Sequence, residues 1–292
     1  MALIESELNS QSQQKQTETA GVPILHINNI FKSFDFATSG NSDGISKIGN
    51  KARVNSTHEV LAGLEMKINE GEFVTIVGSS GCGKSTLLNI IAGLDWPDSG
   101  RVFVKGSDNL STTKRIMIFQ EGGLFPWLSV HENVEFGLKI ANVAKEKRLQ
   151  LADKYVELVG LSKFSKSFIH QLSGGMKQRV AIARALAMEP EILLMDEPFA
   201  ALDVQTRDLL HEELVGIHKT TGKTILFVTH NINEAILLGD RVIVLSSLLK
   251  NIKKEFVIDL PRPRDSESPE LHEIKRNILN EFAADLQVIK KK

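Results

Sequence analysis

Phe73-Val74-Thr75-Ile76-Val77 runs directly into Gly78-Ser79-Ser80-Gly81-Cys82-Gly83-Lys84-Ser85-Thr86, and this stretch decides the fold. The β-branched first part predicts a buried strand, and the apolar spacing of Lys84–Ala92 predicts a helix that ends at Gly93. The second part satisfies the pattern G-x-x-x-x-G-K-[ST], whose glycines let backbone N–H groups converge on phosphate oxygens at a helix N terminus. We therefore predict a phosphate-binding loop in which Lys84 reaches the β- and γ-phosphates of a nucleotide and Ser85 ligates Mg²⁺.

Apolar segments of strand and helix character alternate along the rest of the chain. Buried strands are predicted at residues 192–195, 225–228 and 242–245, and a helix behind a glycine pair at residues 173–188. Residues 129–160 are predicted to be mainly helical, with a capping box formed by Ser129 and Glu132. This alternation predicts an α/β fold with a largely parallel sheet, helices on both faces and a helical insert.

Composition limits the classes of partner. The 35 basic and 36 acidic residues nearly cancel, so the chain lacks the basic excess typical of nucleic-acid binding, and we expect no nucleic-acid partner. Its single cysteine, Cys82, rules out an internal disulfide and fits a reducing compartment. The first residues do not resemble a signal peptide, and no apolar run approaches the roughly 20 residues that span a bilayer. Any membrane role must therefore come through a partner.

Three segments are predicted to flank or interrupt the α/β pattern of the chain. Residues 1–22, rich in Gln, Ser, Thr and Glu, are predicted to be a disordered tail. Residues 37–57 are predicted to be a polar loop inserted between apolar segments at 24–34 and 60–68. Residues 266–292 are predicted to be a charged and weakly helical C-terminal tail.

Two carboxylates follow the apolar run at residues 192–195. Asp196 and Glu197 come at the carboxyl end of a predicted parallel strand, the edge where open α/β sheets bind their ligands. We expect Asp196 to hold Mg²⁺ through water, and Glu197 to orient or deprotonate the water that attacks the γ-phosphate. In isolation, an Asp-Glu pair before a proline turn is also compatible with an ordinary solvated turn.

The stretch Leu172-Ser173-Gly174-Gly175-Met176 separates this chain from other nucleotide enzymes. Ser173 is predicted to cap a helix whose first turn leaves backbone N–H groups bare to meet an anion. Together with the phosphate loop and the Asp-Glu strand, the stretch closely resembles the L-S-G-G-Q signature of ATP-binding cassette ATPases, with Met176 in place of Gln.

The resemblance covers about residues 24–265 and implies ATP and Mg²⁺ as ligands. It implies a P-loop NTPase (RecA-like) core with a mainly parallel sheet and an antiparallel β subdomain, together forming an ATP-binding domain at residues 23–265. It also implies an inserted α-helical subdomain at about residues 121–188 that carries the signature.

Further residues take their roles from the same resemblance. Gln120 matches the family's glutamine that ligates Mg²⁺ and water, and Asp203, in Ala201-Leu202-Asp203, matches the loop that crosses the dimer interface. His230 matches the histidine that contacts the γ-phosphate, although Asn231 replaces the Asp that usually follows it. Phe34 is predicted to stack on adenine, with Phe31 as the competing candidate.

One chain is predicted to be half of the working unit. In the resembled family, the signature of one subunit completes the nucleotide site of another, and Lys84 and Ser173 here lie in separate anion-binding elements. We therefore expect a second ATPase subunit, either a second copy of this chain or a close paralogue. ATP binding would close the pair and hydrolysis would let it open.

The kind of system that the ATPase serves is predicted by excluding classes of ATPase whose sequence features are missing here. A DNA-repair ATPase would carry a long heptad insertion before the signature, and a translation ATPase would carry two cassettes. A kinase would not need residues 172–176. A transporter subunit remains, and a separate-subunit importer fits better than a fused exporter because this chain has no membrane helix of its own.

Two stretches narrow the resemblance further. Gln120-Glu121-Gly122-Gly123-Leu124-Phe125-Pro126-Trp127-Leu128-Ser129-Val130 and Asp259-Leu260-Pro261-Arg262-Pro263-Arg264-Asp265 look like nitrate, sulfonate, taurine and bicarbonate importer ATPases. The region Leu124–Val130 is predicted to contact integral-membrane permease subunits. There Leu124, Phe125 and Trp127 would offer an apolar patch to the partner, or would partly fill the helical subdomain's core.

The resemblance to importer ATPases places the chain peripherally at the cytoplasmic face of the inner membrane, served indirectly by a solute-binding protein. A glycine that relatives use near residues 246–250 is missing, so the turn there needs another explanation. The sequence leaves open which small solute is imported.

Overall fold

The strands of the protein form two sheets in the computed structural model. In chain order they are β1 (Pro23–Ala37), β2 (Asn55–Asn69), β3 (Phe73–Gly78), β4 (Ser99–Val104), β5 (Arg115–Ile118), β6 (Ile192–Asp196), β7 (Thr224–Thr229), β8 (Arg241–Ser246) and β9 (Asn251–Val257). The central sheet has the order β5-β6-β7-β3-β8-β9, and only its β8–β9 pair is antiparallel. The second sheet, β2-β1-β4, is antiparallel. Both predicted sheets are confirmed.

The structure describes residues 23–37, 55–105, 115–120 and 122–290. The predicted N-terminal tail at residues 1–22 and most of the predicted polar loop lie outside the described residues.

The central strands are buried on both faces, as a parallel sheet between helices requires. In β6, Ile192 and Leu194 face one hydrophobic cluster while Leu193 and Met195 face another, and all four side chains are fully buried. The neighbouring β7 alternates in the same way. This two-sided burial explains why these strands are continuous apolar runs in the sequence.

The helices cover both faces of the central sheet. They are α1 (Lys84–Ala92), α2 (Val130–Ile140), α3 (Lys145–Leu158), α4 (Gly174–Ala187), α5 (Val204–Thr221), α6 (Ile232–Leu238) and α7 (Pro269–Lys290). Helix α1 shares a hydrophobic cluster with both sheets. Helices α2, α3 and α4 form the predicted helical insert and share a cluster with α5 on the opposite face.

The predicted helix boundaries agree with the observed caps. Helix α1 ends at Gly93, whose φ of 77° lies in the left-handed region that glycine adopts without a steric penalty. Ser129 and Glu132 form the predicted capping box before α2. Ser173 caps α4, since its hydroxyl accepts a hydrogen bond from the Met176 N–H.

Two predicted boundaries were wrong. The polar loop was predicted at residues 37–57, but β1 extends to Ala37 and β2 begins at Asn55, where the two residues pair. The start of β2 is polar, its residues Thr57 and His58 are exposed, and the Thr57 hydroxyl donates to Asp35 over 3.0 Å. A polar exposed strand lacks the apolar alternation by which strands are recognised in a sequence. The strand before Gln120 was predicted to include Phe119, but β5 ends at Ile118 and the Phe119 side chain is exposed.

The turn between β8 and β9 forms without glycine. Lys250 takes the left-handed conformation with φ of 54°. The Ser246 hydroxyl accepts hydrogen bonds from the N–H groups of Leu248 and Leu249 and donates to Asp285 of α7. Hydrogen bonds of the Ser246 hydroxyl therefore stabilise this turn in the absence of a glycine.

The C-terminal segment is packed against the core. Leu271 and Ile278 of α7 are buried in a cluster with α6 and β8. The guanidinium of Arg264 donates to the carbonyls of residues 236, 237, 239, 258 and 260, including the last carbonyls of α6. Burial and the nearby charge of Arg262 lower the pKa of Arg264 to about 10, so it stays charged at neutral pH.

Within the described parts of the chain, no helix combines the length and apolar character needed to cross a bilayer.

Arg264→Ala is expected to lower the free energy of unfolding by about 2 to 4 kcal/mol, because several buried carbonyls lose their donor at once. Arg264→Lys should recover little, since an ammonium cannot span the same set of acceptors. Urea unfolding measures the change, and Arg276→Ala on the exposed face of α7 is the matched control. Equal stability of the Arg264→Ala and Arg276→Ala variants would contradict this role.

Candidate functional site

The phosphate loop joins β3 to α1 and depends on its glycines. Gly81 and Gly83 have φ values of 77° and 99°, which other residues adopt only at a cost. A Cβ atom on Gly78 would lie 2.4 Å from the Cys82 sulfur and 3.0 Å from the Leu245 carbonyl oxygen. The loop therefore cannot hold this shape with side chains at these positions.

Lys84 is buried within this loop. Its ammonium donates to the carbonyl oxygens of Gly78 over 2.9 Å and Ser79 over 3.2 Å. Cys82 is buried beside it, and burial raises the pKa of its thiol, so the thiolate is disfavoured. The loop thus holds one buried cation, with an unreactive cysteine beside it.

Asp196 brings a carboxylate from the end of β6 to the start of α1. The Ser85 hydroxyl donates to Asp196 Oδ1 over 3.2 Å. Burial, with a smaller contribution from the charge of Glu197, raises the pKa of Asp196, while Ser85 and Lys84 partly oppose this. A desolvated carboxylate beside a hydroxyl is an arrangement that a hard cation would stabilise.

Glu197 turns away from the strand direction. Its φ is 44°, a left-handed conformation uncommon for residues other than glycine, asparagine and aspartate. Its carboxylate Oε2 lies 2.8 Å from Nδ1 of His230, which follows the last residue of β7. Because a carboxylate only accepts hydrogen bonds, Nδ1 carries the proton in this contact.

An open cleft of about 430 Å³ lies over the loop, a size typical of ligand sites. It is lined by His58, Val60, Ser80, Gly81, Gly83, Lys84, Ser85, Thr86 and Glu197. The structure therefore brings the predicted loop residues and one predicted carboxylate to the same cavity. Two lining residues, His58 and Val60, belong to β2 and were not identified from the sequence.

The two aromatic candidates differ in position. Phe34 is the cross-strand partner of His58, which lines the cleft, and the Phe34 side chain is 37% exposed. The Phe31 ring packs on Gly63 instead, since a Cβ atom there would lie 3.3 Å from the ring. The geometry favours Phe34 as the aromatic residue nearer to the cleft.

The remaining predicted residues lie elsewhere in the same chain. Gln120 follows β5 and is exposed at the edge of the sheet that also carries Asp196, because β5 and β6 run parallel. The predicted signature, residues 172–176, contributes no residue to the described lining of the cleft. Its glycines pack on the segment around Asp203, as a Cβ on Gly175 would lie 2.6 Å from Thr206.

Sequence reasoning missed the residues that hold the loop after Gln120. Arg184 of α4 donates to the carbonyls of Gly122 and Gly123 over 2.6 and 2.7 Å. The buried Asn133 side chain accepts from the Phe125 N–H and donates to the carbonyls of Phe125, Leu128 and Ser129. The available signal was a polar residue on the apolar face of α2, between Val130 and Val134.

The same network decides which side chains of this loop are accessible. Trp127 is 70% exposed, whereas Leu124 packs against the core and Val130 is fully buried. Within the predicted docking region Leu124–Val130, Trp127 is therefore accessible, whereas Val130 is not, because it is the first residue of α2 and faces the core.

Comparisons with known proteins identify the family to which the chain belongs. The family model described as ABC transporter matches residues 61–200. An ABC transporter ATP-binding protein of Methanocaldococcus jannaschii is 45% identical over 257 residues, which are 88% of this chain and 90% of that protein. The chain therefore belongs to the family of ABC transporter ATP-binding proteins and is an ATPase of that family.

Two further relatives are named for the solute that they import. The nitrate import ATP-binding protein NrtD of Synechocystis sp. is 48% identical over 217 residues, 74% of this chain and 82% of that protein. The aliphatic sulfonates import ATP-binding protein SsuB of Bacillus cereus is 43% identical over 241 residues, 82% of this chain and 94% of that protein.

Solved structures support the fold. The dimeric ATP-binding cassette MJ0796, bound to ADP and Pi in a post-hydrolysis state, matches with a TM-score of 0.64 and 34% identity over 81% of this chain and all of that one. The cbiO1 protein from Clostridium perfringens, part of the transporter complex cbiONQ, matches with a TM-score of 0.69 and 26% identity over 91% of this chain and 97% of that one.

Gly78→Ala is expected to reduce the free energy of unfolding by about 1 to 3 kcal/mol through overpacking, and to weaken ATP binding because the loop must shift. Gly216→Ala in α5 is the matched control, since no described atom lies within 4 Å of its Cβ position. That control should stabilise the helix by up to about 1 kcal/mol. Urea unfolding and fluorescent-nucleotide titration test both, and identical behaviour of the two variants would refute the steric argument.

Proposed function

We propose that the chain is the ATP-hydrolysing subunit of an importer for a small anion, with Glu197 and His230 as its catalytic residues. The observation that carries the catalytic part is the 2.8 Å contact between His230 Nδ1 and Glu197 Oε2 beside the phosphate loop. These two groups come from strands β6 and β7, which are neighbours in the sheet, and they meet at its carboxyl edge.

Binding of ATP would use the loop in the shape already described. Backbone N–H groups of residues 81–86 and the positive end of the α1 dipole would face the phosphates. Lys84 would exchange its two carbonyl acceptors for β- and γ-phosphate oxygens, which are charged and therefore stronger acceptors. Phe34 would stack on the adenine ring at the β1–β2 side of the cleft.

The residues present fit Mg²⁺ at the phosphates. The Ser85 hydroxyl and the Asp196 carboxylate lie 3.2 Å apart, so Ser85 would bind the ion directly and Asp196 through a water. Mg²⁺ usually binds in this way, through one or two carboxylates, several waters and substrate phosphates. Gln120 would supply a further oxygen from the neighbouring strand end. When bound, the ion would offset the negative charge of the phosphates.

Hydrolysis then depends on the Glu197–His230 pair. Glu197 would accept a proton from the attacking water, or orient that water towards the γ-phosphate. The Nδ1–H group of His230 would donate a hydrogen bond to Glu197 and so orient that carboxylate, and the imidazole ring would contact the γ-phosphate.

A second subunit would complete the site. The cleft is not lined by the signature residues of its own chain, which are Leu172, Ser173, Gly174, Gly175 and Met176. Ser173 caps the start of α4, where helix N–H groups would be available to an anion. MJ0796 forms a dimer. We infer that a second copy or close paralogue presents these residues to the ATP, with Asp203 at the interface between subunits.

The importer assignment rests on the relatives that import nitrate and aliphatic sulfonates. We propose a small anion such as nitrate, bicarbonate, a sulfonate or taurine as the solute, delivered by a solute-binding protein. Integral-membrane permease subunits would dock at Trp127, whose loop is held rigid by Asn133. The chain would then act peripherally at the cytoplasmic face of the inner membrane.

Glu197→Gln is expected to lower the turnover number for ATP by about 10²- to 10⁴-fold, because the amide cannot accept the proton. ATP binding should remain, so the variant should accumulate as a closed dimer in ATP. Phosphate release and size-exclusion chromatography measure both effects, with Glu157→Gln on the exposed face of α3 as control. Rapid turnover by Glu197→Gln would remove the role assigned to Glu197.

Trp127→Ala is expected to weaken association with the permease by about tenfold or more while leaving the ATPase activity of the isolated subunit unchanged. The control is Leu209→Ala, another exposed apolar residue but on α5. Reconstituted complexes with the binding protein should show ATPase stimulation by nitrate or an alkanesulfonate in the control only. Undiminished stimulation in Trp127→Ala would contradict docking there, and absence of stimulation by any small anion in the control would contradict the importer assignment.

A further inference from the structure

A buried cluster of charged side chains lies behind His230, and the catalytic scheme above does not use it. Glu234 of α6 is 4% exposed and His211 of α5 is 7% exposed, while Arg207, one turn earlier on α5, is mostly covered. Buried carboxylates are rare unless they are paired, so a full set of partners is expected around Glu234.

One oxygen of Glu234 holds the residues on either side of His230. The Thr229 hydroxyl donates to Glu234 Oε2 over 2.5 Å and accepts from the Asn231 N–H over 3.0 Å. Asn231 in turn caps α6 through its side chain. The backbone that carries His230 is therefore tied at both ends to a single carboxylate, through one buried hydroxyl.

The other oxygen of Glu234 faces two basic groups on α5. Glu234 Oε1 lies 3.4 Å from Arg207 Nε and 3.5 Å from His211 Nε2. Burial opposes ionisation of Glu234, but the contacts from His211 and Thr229 and the charge of Arg207 together keep its pKa below the usual range. The carboxylate therefore remains ionised at neutral pH.

Arg207 extends this cluster to the segment before α5. Its Nη2 donates to the Leu202 carbonyl over 2.8 Å, and Leu202 precedes Asp203, the cap of α5. A small cavity lined in part by Glu197, Arg207, His230 and Glu234 lies between the cluster and the catalytic pair. The contacts thus run without interruption from Leu202 through Glu234 to the turn that bears His230.

We propose that Glu234 is a positioning residue for ATP hydrolysis: through Thr229 it fixes His230 against Glu197, and through Arg207 it ties that turn to the segment at Leu202 and Asp203. This inference rests on the roles proposed above for Glu197 and His230. Glu234 does not touch the reacting atoms. It determines where His230 lies, and its link to α5 makes that position depend on the segment expected at the subunit interface.

The first test is steady-state ATP hydrolysis by Glu234→Ala. Displacement of a catalytic group by about 1 Å costs up to about 100-fold in rate, so we expect kcat to fall by about 10- to 100-fold while the KM for ATP changes less than about twofold. Glu234→Gln keeps an acceptor for Thr229 but loses the charge facing Arg207, and its kcat should lie between those of wild type and Glu234→Ala. Glu212→Gln, an exposed carboxylate on α5, is the matched control and should be unaffected.

The second test is the histidine NMR spectrum, which needs no catalysis. With labelled histidine, and with His230→Ala to assign the signal, the Nδ1 resonance of His230 should move in Glu234→Ala towards its position in Glu197→Ala. An unchanged His230 resonance, or equal falls in kcat and apparent ATP affinity, would overturn the inference and leave Glu234 as an ordinary buried ion pair. Melting curves check that the variants fold, and Glu234→Gln serves if Glu234→Ala does not.

The outcomes separate the inference from the proposed function. If Glu197→Gln and His230→Ala hydrolyse ATP at the wild-type rate, the proposed catalytic roles fail whatever Glu234 does. If those two variants are impaired but Glu234→Ala has normal kcat and an unmoved His230 resonance, only the positioning role fails. In the His230→Ala background, Glu234→Ala should reduce kcat by less than about twofold, because its effect acts through His230.

Discussion

The register between β3, β7 and β6 is the constraint on which the rest of the site depends. Val77 pairs with Thr229 and Asp196 pairs with Val228, so the next residues of these strands, Gly78, His230 and Glu197, emerge at one edge. Because the strands are parallel, all three residues lie at the same end of the sheet. A slip of one residue in the register would turn a side chain of the site into the core. Burial on both faces fixes this register, because β6 and β7 each pack against two hydrophobic clusters and β3 packs against three.

The parts of the structure that follow local patterns could be predicted from the sequence. Continuous apolar runs indicated the buried strands, and capping residues such as Ser129 and Ser173 indicated where helices begin. The pattern G-x-x-x-x-G-K-[ST], with an apolar strand before it and a helix after it, located the loop between β3 and α1. These features depend on residues within one turn or one strand, so the information they need is contiguous in the chain.

The parts that were missed depend on contacts between distant residues. Arg184 holds the carbonyls of Gly122 and Gly123, about sixty positions earlier, and no local pattern announces such a bond. The sequence around Glu234 does not distinguish it from other helix carboxylates, and its partners on α5 become visible only when α5 packs on α6. The burial of Val130 has a related cause, since the helix that it begins turns its side chain inward, whereas Trp127, three residues earlier, is exposed.

The backbone of Glu197 has a consequence for how this protein can change. A glutamate held at a φ of 44° carries strain of the order of 1 kcal/mol, which glycine would relieve and asparagine would lessen. The fold by itself therefore favours losing this carboxylate. In a variant library selected for heat resistance alone, glutamate at position 197 would be replaced. If glutamate persists there, the library is still being selected for turnover.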